Sequence, residues 1–196
     1  IFVAIALIVR SLWAAAFTIV VVLVSVAITI GITGWFGVYL STATVNAPTM
    51  ITTLAVADCI HIIVGVKYYL SQGLGTKEAI QKSIDVNRKP IFITSITTAI
   101  GFIMLNFSAV PVLAHLGNMT ALGVMLACVF SLTILPSLLT LRPLKPSTAI
   151  RNTLFKHWAL VVNTHHRKLL PLSLIVIAGI SLFATNNVLN DVAVKY

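Results

Sequence analysis

The stretch TMITTLAVADCIHIIVGVKYYL, Thr49–Leu70, has the length and apolar character of a membrane-spanning helix, yet it carries a carboxylate, Asp58, near its centre. About 20 apolar residues suffice to cross the roughly 30 Å hydrocarbon core of a bilayer. An ionisable side chain at that depth costs about 2.5–3.5 kcal/mol on insertion scales, so it requires a partner or a function. The other acidic residues, Glu78, Asp85 and Asp191, lie outside the apolar segments. Asp58 is therefore the first candidate for a functional residue.

The composition indicates an integral membrane protein. Hydrophobic residues make up 59% of the 196 residues and charged residues only 9%, whereas a soluble domain carries roughly 25% charged residues. The net charge of +9 would suggest a nucleic-acid partner in a soluble protein, but here the basic residues lie between apolar segments, so no nucleic-acid binding is expected. Both cysteines, Cys59 and Cys128, fall in apolar segments and are predicted to be packing residues.

The lengths of the apolar segments predict an all-α fold, a polytopic transmembrane helix bundle. Ile1–Ile8 is too short to cross the membrane and is predicted to be the end of a helix that starts before the sequence. Spans are predicted at Trp13–Tyr39, Thr49–Leu70, Pro90–Asn106, Leu116–Leu141 and Leu169–Thr185. We expect residues 1–141 to form a bundle, 142–168 a linker, 169–186 a further transmembrane helix and 187–196 the start of another domain.

Prolines and capping residues predict where several helices begin and end. Thr76 is predicted to cap a short helix in Ser71–Lys89, with Glu78 in its first turn. Pro90 is predicted to open the next span, because a first-turn proline sacrifices no hydrogen bond. Pro136 is predicted to kink or end its helix.

The basic residues all lie on one side of this predicted topology, apart from Lys195. Because successive spans alternate in direction, Arg10, the 71–89 segment and the 142–168 segment share a side, which also holds Lys67. The opposite loops, 40–48 and 107–115, contain no lysine or arginine. The positive-inside rule predicts that the basic side is cytoplasmic. Within 142–168, the apolar spacing suits either an interfacial amphipathic helix or a helix packed under the bundle.

Polar and small side chains recur at helical spacing in three of the spans. Asp58 and His61 lie on nearly the same face of theirs. The next span carries the hydroxyl residues Thr94, Ser95, Thr97 and Thr98, followed by Gly101. The span after it carries Gly123, Ala127 and Ser131. Because small residues let membrane helices approach closely and hydroxyls bond across them, we predict a compact bundle with a polar centre near Asp58.

Asp58 allows two interpretations. A carboxylate balanced between desolvation and a nearby cation can take up and release a proton. Such a group couples ion flow to conformational change, since a charge crossing the membrane field exchanges about 2.3 kcal/mol per 100 mV. Alternatively, Asp58 stays permanently protonated or paired and only fixes helix packing. For His61, the simpler interpretation is a polar packing residue whose hydrogen-bonding groups have partners.

Catalytic motifs do not appear in the chain. It has no Gly-rich phosphate loop, no His-Glu-x-x-His zinc motif and no Gly-x-Ser-x-Gly nucleophile motif. We therefore expect no catalytic residue, no metal and no cofactor, and a protein that is not an enzyme.

Two runs carry a family resemblance: AVADCIHIIVGVKYYLSQGLGTKEAIQKSI (55–84) and RKPIFITSITTAIGFIMLNFSAVPVLAHLGNMTALGVMLACVFSLTILPSLL (88–139). They resemble the fourth to sixth transmembrane helices of the resistance–nodulation–division (RND) superfamily, in the branch of large lipid exporters and Patched-like, sterol-sensing-type proteins. The resemblance is most specific at three places: Asp58, Thr94–Phe102 and Pro111–Gly123. The resemblance implies a proton-driven exporter of twelve transmembrane helices, with large periplasmic domains after the first and seventh helices. This chain would be the fragment from the end of helix 2 to helix 7, and residues 187–196 would be the start of the second periplasmic domain.

The resemblance also implies roles and partners. In the superfamily the fourth-helix acid forms a proton relay with the tenth helix, which implies that role for Asp58. Many members place a second acid or a tyrosine beside it, whereas here the neighbours are Ala57 and Cys59, so His61 is a candidate substitute. The implied partners are membrane lipids, a lipid or other hydrophobic substrate and the missing half of the transporter, and a homo-oligomer stays open.

The implied location is the bacterial inner (plasma) membrane, with a multi-pass chain whose 71–89 and 142–168 segments are cytoplasmic. An alternative is a non-transporting, sterol-sensing-type module that binds lipid and regulates a partner. A third is an accessory membrane scaffold in which Asp58 only orders packing.

Overall fold

The structure, a computed structural model, describes residues 11–38, 41–142, 144, 163–164, 171 and 173–183. Over these residues the protein is helical, without a β-strand, and four helices are long and apolar enough to cross a membrane. The predicted all-α polytopic membrane fold is therefore confirmed. The chain divides into two compact units, Ile1–Ala149 and Ile150–Tyr196.

The described part of the first unit contains four long helices. They are α1, Leu12–Trp35, α2, Ala47–Ser71, α3, Thr76–Ile103, and α4, Pro111–Leu141. One turn of 3-10 helix, Thr44–Asn46, leads into α2, and another, Met104–Phe107, extends α3.

The second unit contains one described apolar helix, α5, Ser173–Phe183, which is shorter than a membrane span. The flanks of the predicted span Leu169–Thr185, most of the 142–168 segment and Ile1–Ile8 lie outside the described residues.

Helix α1 ends at Trp35, earlier than the predicted Tyr39. Gly37 adopts a left-handed φ of +74°, and the N–H groups of Gly37 and Val38 each donate to a carbonyl of the last turn at 3.0 Å. This pair of bonds is the Schellman motif, in which glycine takes the left-handed position without steric cost. The turn chemistry therefore stops the helix before its apolar sequence ends.

Helix α3 differs most from the prediction. A short helix capped by Thr76 and a new span from Pro90 were expected, but one continuous helix of 28 residues contains Pro90 in its interior. Gly75 is the N-cap and Thr76 is the first helical residue, while Glu78 lies in the first turn as predicted. An internal proline leaves one carbonyl of the preceding turn without its N–H donor. The packing of α3 along α2 and α4 outweighs this loss.

Helix α4 begins at Pro111, one turn and more before the predicted Leu116. Pro111 suits the first turn because its missing N–H would have no intrahelical acceptor there. Pro136 is buried inside α4, which continues to Leu141, so this proline does not end the helix.

Three contacts show that successive helices run in alternating directions. The Arg142 guanidinium lies 3.9 Å from the centroid of the Trp13 ring, which joins the end of α4 to the start of α1. The Ser83 hydroxyl donates to the Ile62 carbonyl at 2.8 Å, which joins the first half of α3 to the second half of α2. Asn106 and Asn118 exchange amide hydrogen bonds of 2.7 and 3.0 Å across the α3–α4 turn.

These directions bring the charged residues of the unit together. We call the end at which α1 and α3 begin and α2 and α4 end the basic end. It holds Lys67, the charged first half of α3 and Arg142, whereas residues 36–38, 41–46 and 103–115 at the opposite end contain no Lys, Arg, Asp or Glu.

Glycines mark the closest helix crossings. A Cβ on Gly123 would collide with the Ile51 side chain of α2 and lie 3.1 Å from Thr29 Oγ1 of α1. Ala127 and Ser131, the other members of the predicted small stripe, are also fully buried. Gly101 is exposed, and a Cβ there would have no atom within 4 Å, so it makes no helix contact among the described residues.

Two glycines that the sequence analysis did not select for packing make closer contacts. A Cβ on Gly65 would collide with the Ser83 hydroxyl, and one on Gly117 with the Phe102 carbonyl oxygen. Gly65 therefore allows the short distance between α2 and α3, and Gly117 allows the short distance between α4 and α3.

Candidate functional site

Asp58 is a buried carboxylate on α2. It stands near the middle of the 28-residue span Thr44–Ser71, and its exposed fraction is 9%. Among the residues that the structure describes, none makes a hydrogen bond or an ion pair with Asp58, while Asp85 has Arg88 at 3.9 Å on the surface. A buried carboxylate without a cation partner among the described residues needs a partner from another segment or an exchangeable proton.

The surroundings of Asp58 are contributed by α2, α3 and α4. Cys128 of α4 is close enough to interact electrostatically with Asp58, and Ser95 of α3 lies beside Cys128. The Ser131 hydroxyl donates to the Cys128 carbonyl at 2.9 Å. Cys59 and Cys128 are both buried free thiols, which confirms that they are packing residues. The interior therefore offers small, weakly polar groups rather than a counter-ion.

The register between α2 and α3 shows which residues of α3 lie at the same depth in the bundle as Asp58. Counting from the Ser83–Ile62 hydrogen bond, Asp58 is about level with Asn87, and counting from the Gly65–Ser83 contact it is about level with Pro90. All charged residues of α3 precede Pro90, and none follows it. Asp58 therefore lies at about the same depth as the first turns of the uncharged part of α3, which follow Lys89.

The four hydroxyl residues expected to line the interior divide between two sides of α3. Ser95 is buried and Thr98 is half-buried, whereas Thr94 and Thr97 are exposed. The exposed hydroxyls donate to carbonyls of their own helix at 2.9–3.0 Å. Thr94 and Thr97 therefore do not line the interior of this unit, because the rotation of α3 turns them away from α2 and α4.

His61 differs from Asp58 in burial, although the two residues lie one turn apart on α2. Its side chain is exposed, and the described structure contains no hydrogen bond between the two residues. His61 instead lines a groove of about 390 Å³ between α2 and α3, which we call the basic-end groove. Its lining residues are Ile60, His61, Val64, Gly65, Tyr68, Tyr69, Val86 and Asn87.

The sequence analysis missed a buried hydroxyl stripe on α1. Its members, each donating to the carbonyl four residues earlier at 2.7–2.9 Å, are Thr18, Ser25, Thr29 and Thr33. Their helical spacing in an apolar run could have revealed them. Thr120 is also buried, and its hydroxyl lacks a partner among the described residues, which no sequence signal indicates. The described residues contain no group of metal ligands.

Comparison with known proteins identifies the family. Residues 1–171 match the MMPL family. The chain belongs to the MMPL family. This family is of the RND type, so the predicted superfamily is confirmed, and membership indicates a transporter-like membrane protein.

The MMPL chain also matches one curated sequence in part. The membrane protein MJ1562 of Methanocaldococcus jannaschii is 29% identical over 120 residues, which cover 61% of this chain. The match spans only 31% of the length of that relative. No solved structure matches the MMPL chain.

Proposed function

We propose that this MMPL chain is part of a membrane exporter, driven by the proton-motive force, for lipids or other hydrophobic compounds. Asp58 is its proton-carrying residue. The observation that carries this proposal is a buried carboxylate near the middle of a membrane-length helix, with no hydrogen-bond or ion-pair partner among the described residues. An intramembrane ionisable residue is a functional candidate for this reason.

The other acidic residues of the described region suit the proton-carrying role less well. Glu78 and Asp85 are exposed on the charged half of α3. A surface carboxylate stays in contact with bulk water, so its protonation does not couple to the packing of the bundle. Asp58 is buried on the side of α2 that faces Cys128 of α4, so gain or loss of its charge changes the free energy of helix packing.

The proposed cycle alternates two forms of Asp58. The charged form attracts a polar partner from the remainder of a longer transporter, and the neutral form releases it. Each elementary charge that crosses the field contributes about 2.3 kcal/mol per 100 mV, which drives the alternation. By the positive-inside rule we place the basic end in the cytoplasm of a bacterial inner membrane, so inward-moving protons leave along the charged half of α3. The cycle involves no enzymatic step.

The complete protein, reconstituted in proteoliposomes, tests the proposed function directly. Export of a fluorescent lipid or hydrophobic dye is expected to begin when a pH gradient is imposed and to stop when an uncoupler dissipates it. Vesicles without protein are the control. Export at the same rate with and without the pH gradient would contradict proton coupling. Binding of lipid without any transport would favour the sterol-sensing-type regulatory module.

Replacement of His61 should have a smaller effect than replacement of Asp58. Because His61 is exposed and does not bond Asp58 in the described structure, His61→Gln is expected to slow the initial rate of gradient-driven export without abolishing it. The measurement is that rate over a range of external pH. Complete loss of export in His61→Gln, at normal protein levels, would instead make His61 an obligatory member of the relay.

A further inference from the structure

The basic-end groove has the architecture of a site for an amphipathic molecule. Its walls include apolar side chains, Ile60, Val64 and Val86, and the last two are about half exposed, at 50% and 56%. Two aromatic residues, Tyr68 and Tyr69, lie toward the end of α2, with their rings 5.3 Å apart in an edge-to-face arrangement. Tyrosine prefers the membrane–water interface, where its ring is apolar and its hydroxyl is hydrated.

Positive charge borders the groove on α3. The Lys82 ammonium lies 5.4 Å from the centroid of the Tyr69 ring, which places it at the rim. Val86 lies four residues after Lys82, and Lys89 lies three residues further, so both lysines share the face of α3 that borders the groove. Arg88 has a carboxylate, Asp85, at 3.9 Å, whereas the described structure pairs neither Lys82 nor Lys89 with an acid.

The groove also lies at the right height for a lipid headgroup. Tyr68 follows Asp58 by ten residues of α2, which is about 15 Å at 1.5 Å per residue, or half of the roughly 30 Å hydrocarbon core. The membrane surface on the basic side therefore lies near the two tyrosines and the Lys82 ammonium, and Val64 and Val86 lie below it, toward the centre of the bilayer. Since Lys89 is exposed, its flexible stem can direct the ammonium toward that surface.

We propose that the basic-end groove binds an anionic phospholipid of the leaflet on the basic side. The phosphate is held by Lys82 and Lys89, and the glycerol and upper acyl chain lie along Val64 and Val86. Charge complementarity selects an anionic headgroup, because each lysine near a negatively charged membrane surface contributes about 1 kcal/mol. The lipid stays bound to the helix bundle, and its binding does not depend on proton transfer at Asp58.

Native mass spectrometry of the complete protein in detergent tests the lipid site. Phosphatidylglycerol is expected to remain bound in preference to phosphatidylcholine. Lys82→Gln and Lys89→Gln should each lower that retention about fivefold, as expected from the loss of one surface lysine. The matched control is Lys77→Gln, which removes the same charge from the same half of α3 but from a different face.

A second pair of variants tests the groove rather than its charge. Val64→Trp is expected to fill the groove and reduce phosphatidylglycerol retention, whereas Val129→Trp, equally exposed at 50% but on α4, should not. Unchanged melting temperatures without added lipid show that both variants fold.

Three results would overturn the lipid site. They are equal retention of the two lipids, equal losses in the control variants, and thermal stabilisation by inorganic phosphate alone as large as that by phosphatidylglycerol. The last result would assign the lysines to a free anion. None of these results would bear on Asp58, whose variants are scored by export.

Discussion

Asp58→Asn in the complete transporter is expected to abolish gradient-driven export while leaving the protein in the membrane at the wild-type level. Asparagine has nearly the same shape as aspartate but cannot carry a proton. Because Asp58 has no ion-pair partner among the described residues, the substitution leaves none of their cations unpaired, and an unpaired buried charge is the usual cause of large destabilisation. The measurement is the initial rate of export at a fixed pH gradient, normalised to protein content.

The chain offers a matched control for this experiment. Asp85→Asn removes the same charge from an exposed residue of α3, whose pair with Arg88 is solvated. Exposed pairs contribute only about 0–1 kcal/mol, so export and stability should remain near wild type. Asp58→Glu should restore part of the export, since it restores a titratable carboxylate. Wild-type export by Asp58→Asn would remove Asp58 from the mechanism, and equal losses in both asparagine variants would make the effect one of general charge.

Gly117→Val is expected to destabilise the bundle by about 1–3 kcal/mol, the usual cost of forcing extra atoms into a packed interior. A Cβ at Gly117 would collide with the Phe102 carbonyl oxygen and lie 3.0 Å from the Leu105 Cβ. The obstacle is backbone, so α3 and α4 have to move apart, and the amide pair between Asn106 and Asn118 is strained with them. The measurement is the apparent Tm of the detergent-purified protein.

Gly101→Val is the control, because it makes the same chemical change in a membrane helix. A Cβ at Gly101 would have no atom within 4 Å, so the Tm should stay close to that of the wild type. If both variants lowered the Tm equally, the penalty would come from valine in a helix rather than from the α3–α4 contact. If neither variant lowered the Tm, the close contact at Gly117 would contribute nothing to stability.

Local sequence features correctly predicted much of the fold. The spans of α1, α2 and α4 follow from the length of their apolar runs, because the cost of exposing backbone and polar groups to lipid acts on each segment separately. The prediction failed at Pro90, where a local rule about proline was applied to a helix held by its neighbours. The Ser83–Ile62 hydrogen bond and the close contact of Gly65 hold the part of α3 before Pro90 along α2, and the contact of Gly117 with Phe102 holds the part after it along α4.

In the candidate site, too, the sequence predicted some features and only the packing of the helices decided the others. Asp58 stands out in the sequence because a charge in an apolar run is a local property. The sequence cannot say which of Thr94, Ser95 and Thr97 turns inward, since residues so close in a helix point in different directions. Packing against α4 decides this, and it buries Ser95 alone of the three.

By itself, the sequence determined the class of this protein, the approximate position of its spans, the segregation of its basic residues and the importance of Asp58. Each of these follows from the transfer free energy of side chains and backbone along a single segment. The tertiary structure alone decided the continuity of α3, the height of Asp58 relative to its charged half, the different burial of His61 and Asp58 and the groove between α2 and α3. These depend on helix rotation and register, which are set by a few contacts between helices, above all those of Gly65, Ser83 and Gly117.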